Sequence, residues 1–227
     1  RSNTRVHPLS TATMVRATHA MAVIGLLMSA SAAHGASISN AGAATSDPAS
    51  IPLTECGRNQ AEQIAQSCEA RPTLIVVSSY QRTWQTAAPV IARFPEVPVE
   101  EWPVQEFTYL EPSRCMGTTG AERRAWVKHY WKSCSAEYCD GPGAESFMDL
   151  LRRVRETRSR LEALPTGSQV AVFTHGQFLQ ALRLLVYFPA LTDAAMKDRF
   201  QVLDQERPIA NGARIEGIIH HGRLCLL

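Results

Sequence analysis

Residues 169–176 read QVAVFTHG, an apolar run followed at once by a histidine and a glycine. The short run with its two valines predicts a buried strand. Beyond it, apolar side chains at helical spacing predict a helix that begins at Gly176. His175 therefore stands where a strand ends and a helix begins, at the carboxyl edge of the predicted sheet. Ligands bind at that edge of open α/β sheets and anions bind at helix N-termini, so His175 is a candidate anion-binding residue.

A second strand and helix, earlier in the chain, bring an arginine to a comparable position. Residues 74–77 read LIVV, and their number and β-branching predict a buried, parallel-type strand. The next residues, SSYQRT at 78–83, lead into a helix predicted from about Arg82 to Ile91. A cation in the first turn of a helix opposes the helix dipole. Arg82 is therefore a second candidate functional residue.

An apolar run precedes another His-Gly pair, at His34, and allows two interpretations. In the first, a buried strand at about 23–28 leads to His34, and the protein is cytoplasmic. In the second, residues 14–32 form a secretory signal peptide with a basic start and a cleavage site near Ala32, and the protein is exported. Cleavage there would leave His34 almost at the new N-terminus, with no strand to position it. A catalytic role for His34 therefore favours the retained strand.

Strands and helices alternate along the chain, which predicts an α/β fold: a three-layer α/β/α sandwich with a mostly parallel central sheet. We divide the chain into an extension, disordered or targeting segment at 1–20 and a single domain at 21–227. Within the domain, residues from about 100 to 145 mix aromatic and basic side chains with glycine and proline breaks, and we expect an irregular insertion with one short helix. The other predicted elements are a helix capped by Thr54 that ends near Glu69, a helix from Glu145 to Leu164, and a hairpin of residues 213–219 and 224–227 that turns at His221-Gly222.

Composition argues against several classes of function. A net charge of +2 gives no case for a nucleic-acid-binding surface. Five arginines crowd residues 152–160, and we interpret them as a solvated helix face. The apolar run before His34 is too short to span a membrane, so no stable membrane association is expected. Cys134 and Cys139 have no matching histidine or cysteine pair, so no metal site is predicted. The sequence does not indicate an oligomeric state.

Five segments follow one another along the chain: His34-Gly35 with Asn40 after it, PLTECGRNQA at 52–61, SSYQRTWQTA at 78–87, Glu106, and VFTHG at 172–176. In this order they resemble the histidine phosphatase superfamily, whose fold is phosphoglycerate mutase-like. The likeness runs from about residue 34 to the end of the chain, and a late segment at 209–212, IANG, is similar to the family's asparagine turn.

The resemblance implies a role for each of five residues. His34 would be the nucleophile that attacks phosphorus and forms a phosphohistidine. Arg82 and His175 would hold the non-bridging oxygens and stabilise their charge, and Asn40 would add a neutral donor. Glu106 would protonate the leaving oxygen and later activate water. Phosphoryl transfer needs mainly positioning and positive charge, so this set implies neither a metal nor another cofactor.

One position departs from the family pattern of Arg-His-Gly, since Ala33 precedes His34. A missing guanidinium removes a bidentate contact to phosphate and would lower the rate by about a hundredfold or more. The leading hypothesis is hydrolysis of a phosphomonoester, either a small molecule or a phosphoprotein side chain. The alternatives are a catalytically weakened module that binds phosphate or phosphopeptides, and a phosphomutase of the same fold.

Overall fold

The computed structural model describes residues 47–227 together with the backbone of residues 22–28. The predicted segment 1–20 and the predicted site residues His34 and Asn40 lie outside the described residues. The strands are β1 (Ala22–Met28), β2 (Leu74–Val77), β3 (Val99–Glu101), β4 (Gln169–Thr174), β5 (Arg214–His220) and β6 (Arg223–Leu226). A 3-10 turn at Pro48–Ser50 precedes the helices α1 (Glu55–Ser67), α2 (Gln81–Arg93), α3 (Pro112–Cys115), α4 (Gly120–Ser133), α5 (Phe147–Glu162), α6 (Gly176–Tyr187) and α7 (Asp193–Glu206).

All six strands belong to one sheet in the order β3-β2-β4-β1-β5-β6. The pairs β3–β2, β2–β4 and β4–β1 are parallel, and β5 and β6 continue the sheet in antiparallel fashion. The backbone of Leu26 pairs with Val172 on one side and with Ile215 on the other. The predicted strand at 23–28 is thus an interior strand of the sheet, as the first of the two interpretations required.

Two apolar clusters cover opposite faces of this sheet. Along β2, Val76 packs into one cluster with α5 and α6, while its neighbours Ile75 and Val77 pack into the other with α1 and α2. Alternate residues of a strand point to opposite faces, so strands covered on both sides must be apolar throughout. The predicted three-layer α/β/α architecture with a mostly parallel sheet is confirmed.

Local signals fix the ends of the predicted helices. The Thr54 hydroxyl accepts a hydrogen bond from the Gly57 amide at 3.2 Å, so α1 begins as predicted and ends two residues earlier than expected. At the start of α5, Ser146 and Asp149 each bond to the backbone amide of the other, which is a capping box. Both residues of the hairpin turn have left-handed φ angles, 49° at His221 and 73° at Gly222, as a two-residue turn requires.

The expectation of an irregular insertion with one short helix at 100–145 was wrong. The segment contains the edge strand β3, the single-turn helix α3 and the 14-residue helix α4. Its aromatic side chains join the main core. There the centre of the Phe107 ring lies 6.2 Å from the centre of the Tyr130 ring and 6.0 Å from that of Phe147. Only Tyr130 and Trp131 of α4 are buried, so the helix carries little apolar periodicity for a sequence pattern to reveal.

Helix α7 had no counterpart among the sequence predictions. Its buried side chains are Met196, Lys197 and Phe200, and a lysine among them weakens the apolar pattern. The Lys197 ammonium is buried because it donates to the carbonyls of Tyr130 and Cys134 at the end of α4, at 3.1 and 2.7 Å. In the part of the chain that the structure describes, no helix is long and apolar enough to cross a membrane.

Candidate active site

Two parallel strands deliver their following residues to one edge of the sheet. β2 ends at Val77 and is followed by Ser78, while β4 ends at Thr174 and is followed by His175. Strand β1 ends beside β4, with Met28 opposite Thr174, so three parallel strands end at this same edge. Helices α2 and α6 both begin here, which places their N-terminal amides around the site.

His175 is completely buried and bonded through both ring nitrogens. Its Nδ1 lies 3.1 Å from Arg82 Nη2, and its Nε2 lies 2.8 Å from Ser78 Oγ. Because a guanidinium can only donate, Nδ1 accepts from Arg82 and Nε2–H donates to Ser78. Burial and, after it, the positive charges of Arg82 and Arg153 hold the pKa of His175 well below its ordinary 6.5. The imidazole is therefore neutral in this arrangement.

The Arg82 guanidinium is a buried cation, with 6% of the residue exposed. Besides its bond to His175, Nη1 donates to the carbonyl of Pro48 at 2.8 Å, and the group lies 4.6 Å from the centre of the Tyr80 ring. Its Nε has no hydrogen-bond partner, and no carboxylate of the described residues forms an ion pair with it. Burial lowers the pKa of Arg82 below its ordinary value, yet arginine stays charged in proteins. A buried charge without a counter-ion is costly, and a bound anion would relieve that cost.

Glu106 lies on the loop after β3, half-buried and facing the start of α6. Its Oε1 accepts hydrogen bonds from the backbone amides of Gln177, at 3.1 Å, and Phe107, at 3.2 Å. Its charge also acts on Arg82, whose pKa it raises against the larger effect of burial. The carboxylate is thus fixed close to the Arg82–His175 pair.

Arg153 fixes the loop that carries Glu106. Its guanidinium binds both carboxylate oxygens of Glu145, at 2.7 and 2.9 Å. It also donates to the backbone carbonyls of Pro103, Gln105 and Glu106, at 3.1, 2.8 and 3.3 Å. All three of its nitrogens are engaged, so the loop cannot move without breaking a set of charge-assisted hydrogen bonds.

The interpretation of all five arginines at 152–160 as a solvated helix face was wrong for Arg153, which is 6% exposed. A sequence signal for its burial did exist. Arg153 follows Leu150 by three residues and precedes Thr157 by four, which places it on the buried face of α5. Apolar periodicity alone does not count an arginine as a core residue, so it does not identify Arg153 as buried.

Of the five predicted site residues, the structure brings Arg82, Glu106 and His175 together at the carboxyl edge of the sheet. His34 and Asn40 lie outside the described residues. Ser78 and Arg153 were not predicted as part of the site. Among residues 47–227, no group of three or more histidine, cysteine, aspartate or glutamate side chains could hold a metal ion.

Comparison with known families and structures agrees with this geometry. The family model of the histidine phosphatase superfamily, branch 1, matches residues 32–197, nearly three quarters of the chain. The chain belongs to the histidine phosphatase superfamily. The matched region includes all five predicted site residues, His34, Asn40, Arg82, Glu106 and His175, and also Arg153.

Solved structures with the fold of this histidine phosphatase superfamily member include several phosphatases. A mycobacterial glucosyl-3-phosphoglycerate phosphatase is 22% identical, with a TM-score of 0.66 and coverage of 91% of this chain and 97% of the other. The alpha-ribazole phosphatase of Shigella flexneri is 18% identical, with a TM-score of 0.67 and coverage of 90% and 94%. A phosphoserine phosphatase variant from Entamoeba histolytica, in complex with phosphoserine, is 18% identical, with a TM-score of 0.68 and coverage of 91% and 95%. No curated protein matches the chain.

Proposed function

We propose that the chain hydrolyses phosphomonoesters through a phosphohistidine on His34, without a metal ion. One observation carries the proposal: Arg82 is a buried cation with no carboxylate partner among the described residues, and it contacts a neutral, buried His175 next to Glu106. This arrangement supplies positive charge and donors for a phosphoryl group, and a carboxyl group for its leaving oxygen.

The reaction would proceed in two steps. In the first, a nitrogen of His34 bonds to phosphorus as the bond to the alcohol oxygen breaks, and Glu106 gives its proton to that oxygen. In the second, Glu106 takes a proton from water as the water oxygen bonds to phosphorus and the phosphorus–nitrogen bond breaks. Phosphate leaves, and His34 and the protonated Glu106 are restored.

His175 must gain a donor before it can bind a phosphoryl oxygen. In the structure its Nδ1 accepts from Arg82, and its one N–H is used by Ser78. A dianion placed between the two side chains would draw Arg82 toward itself and offset the positive charges that lower the pKa of His175. Protonated His175 would then donate through Nδ1, which favours activity at mildly acidic pH.

The test is hydrolysis of an aryl phosphate at mildly acidic pH in the presence of a chelator. We expect activity that His175→Ala and His34→Ala both abolish, and that the exposed-histidine control His129→Ala retains. Phosphate that is acid-labile and base-stable should be trapped on His34 during turnover. Activity that persists in His34→Ala would overturn the mechanism.

A second candidate function follows from Ala33, which stands where the family has arginine. A site without that guanidinium would bind a phosphate or a phosphopeptide without turning it over. Calorimetry would then show binding of a phosphoester that Arg82→Ala removes, together with no hydrolysis above the His175→Ala blank. Rapid hydrolysis in the presence of chelator would eliminate this alternative.

A further inference from the structure

A second carboxylate lies beside Glu106 and has no part in the reaction proposed above. Asp204 is on the last turn of α7, and its Oδ2 accepts a hydrogen bond from the Gln177 side-chain amide at 2.9 Å. The backbone amide of the same Gln177 donates to Glu106 at 3.1 Å. One residue thus donates to both carboxylates, which places Asp204 close to Glu106.

No cation of the described residues pairs with Asp204. None of the ion pairs formed by residues 47–227 includes Asp204. Burial and, more weakly, the charge of Glu106 raise the pKa of Asp204, and the bond from Gln177 opposes them. Tyr109 also lies within the field of both carboxylates, and burial raises its pKa to about 12, so it contributes a neutral hydroxyl. This part of the site is therefore acidic or neutral.

Arg82 and His175 are more deeply buried than Glu106 and Asp204, as expected for a substrate whose phosphoryl group lies deepest. The phosphoryl group belongs at Arg82 and His175, which are buried, and the leaving oxygen belongs at Glu106, which is half-buried. The leaving group departs in line, on the side away from the nucleophile. The alcohol portion attached to that oxygen would extend past Glu106 toward Asp204, which is partly exposed.

We propose that Asp204 selects the alcohol portion of the substrate. It favours phosphomonoesters whose alcohol carries a hydrogen-bond donor near the ester oxygen, an ammonium above all, and it disfavours those that carry a carboxylate there. The inference rests on the proposed function, since it places the phosphoryl group at Arg82 and His175. Its physical basis is charge complementarity, by which a specific pocket rejects a like charge as well as attracting an opposite one.

The test compares two esters of nearly equal size and opposite charge, O-phosphoethanolamine and 2-phosphoglycolate, with propyl phosphate as the uncharged reference. The measured quantity is the ratio of kcat/KM for the ammonium ester to that for the carboxylate ester at neutral pH. We expect a ratio above about 10 in the wild type, and a fall of about tenfold in Asp204→Asn, which keeps an acceptor for Gln177 but removes the charge. Asp198→Asn, an exposed aspartate on the same helix, is the matched control and should keep the wild-type ratio.

The outcomes separate this inference from the proposed function. Hydrolysis of propyl phosphate with equal rates for the two charged esters, or a ratio that Asp204→Asn leaves unchanged, would overturn the selectivity and leave the phosphatase reaction standing. If no ester is hydrolysed, calorimetry measures the dissociation constants of the two charged esters, and their ratio replaces the ratio of kcat/KM. A preference for the ammonium ester that Asp204→Asn removes would then support the selectivity while the hydrolytic function fails. Absence of that preference in binding as well would overturn it.

Discussion

The two ring nitrogens of His175 link the chemistry of the site to the stability of the protein. The folded state holds this histidine neutral, whereas an unfolded chain protonates it near its ordinary pKa of 6.5. Below that pH the unfolded state binds more protons than the folded state, so stability is complete above pH 6.5 and is lost as the pH falls. The loss continues down to the depressed pKa of the folded state.

We expect His175→Gln to abolish this pH dependence, because glutamine cannot take up the proton. The free energy of unfolding should be measured by urea titration from pH 7.5 to 5 in phosphate-free buffer. The wild type should lose stability relative to the variant by at most about 1.4 kcal/mol per pH unit below pH 6.5. Parallel curves for the two proteins would show that His175 is protonated in the folded state.

Arg153 allows a test of whether the position of the Glu106 loop matters for catalysis. Lysine cannot replace its contacts to Glu145 and to three carbonyls, so Arg153→Lys should let the Glu106 loop shift. Under the proposed mechanism we expect kcat to fall by about 10- to 100-fold, while KM changes by less than about threefold, because general acid catalysis is affected and phosphate binding is not.

The neighbouring Arg152→Lys is the control for this prediction. Arg152 is exposed and pairs with Asp149 at 2.6 Å, and exposed ion pairs contribute little. An equal fall in kcat for both variants would show a general loss of fold rather than a displaced Glu106. A threefold or larger change in KM with constant kcat would place Arg153 among the groups that bind substrate.

At the scale of single residues, the sequence predicts those site residues whose amino-acid type is unusual for their position in a strand or helix. A histidine directly after an apolar strand and an arginine in the first turn of a helix are both conspicuous, and the structure places His175 and Arg82 in contact. Ser78 and Arg153 were not found, because a serine in a loop and an arginine in a helix are common. Both residues act through contacts that are distant in sequence. Ser78 and His175, for example, are 97 residues apart, and no local pattern contains such a contact.

Among the elements, strand β1 gives a test of the two interpretations of the N-terminal region. It occupies an interior position in the sheet, with β4 on one side and β5 on the other. We expect a chain that begins at residue 33, as cleavage near Ala32 would produce, to lack a cooperative thermal transition, because two neighbouring strands would lose their backbone partners. Circular dichroism during heating measures this directly.

A chain that begins at Met21 is the matched control, since it is only 12 residues longer but retains β1. It should melt cooperatively. A similar melting temperature for both chains would show that the fold does not depend on β1, and the signal-peptide interpretation would then be favoured.

Helices and strands were predictable where one face or both faces carry continuous apolar residues. Strands β2 and β4 and helix α5 meet that condition, and they were found with nearly correct ends. The helices α4 and α7 do not, because each buries only two or three side chains and α7 includes Lys197 among them. Their stability comes from tertiary packing, which overrides a weak local pattern.

For the whole molecule, the buried charge of Arg82, which forms no ion pair within residues 47–227, predicts stabilisation by anions. A ligand that binds only the folded state adds about 2.7 kcal/mol at a concentration of 100 times its dissociation constant, which for a chain of this size raises Tm by roughly 5 to 10 °C. We expect inorganic phosphate to produce such a shift in differential scanning fluorimetry, and sodium chloride of equal ionic strength not to do so. The shift should vanish in Arg82→Ala and persist in Arg93→Ala, which changes an arginine at the far end of the same helix.

The overall architecture was the most predictable feature, because alternating strands and helices leave few ways to cover a parallel sheet. The order of strands was not predictable. The order depends on which strands pair through their backbones, and the pairing of β1 with β4 and β5 joins segments that are far apart in sequence. For the same reason, the sequence indicated which residues end strands but not that Glu106 and Asp204 would share Gln177 as a neighbour.

The position of β1 also has a consequence for biosynthesis. This strand leaves the ribosome well before its partners β4 and β5, which begin at Gln169 and Arg214. At 5 to 20 residues per second, the nascent chain would carry an apolar, unpaired strand for roughly 10 to 40 s before the sheet can close. Such a long interval favours capture by chaperones or aggregation, so weaker induction, which lowers the concentration of nascent chains, should raise the yield of native protein more than a stronger promoter does.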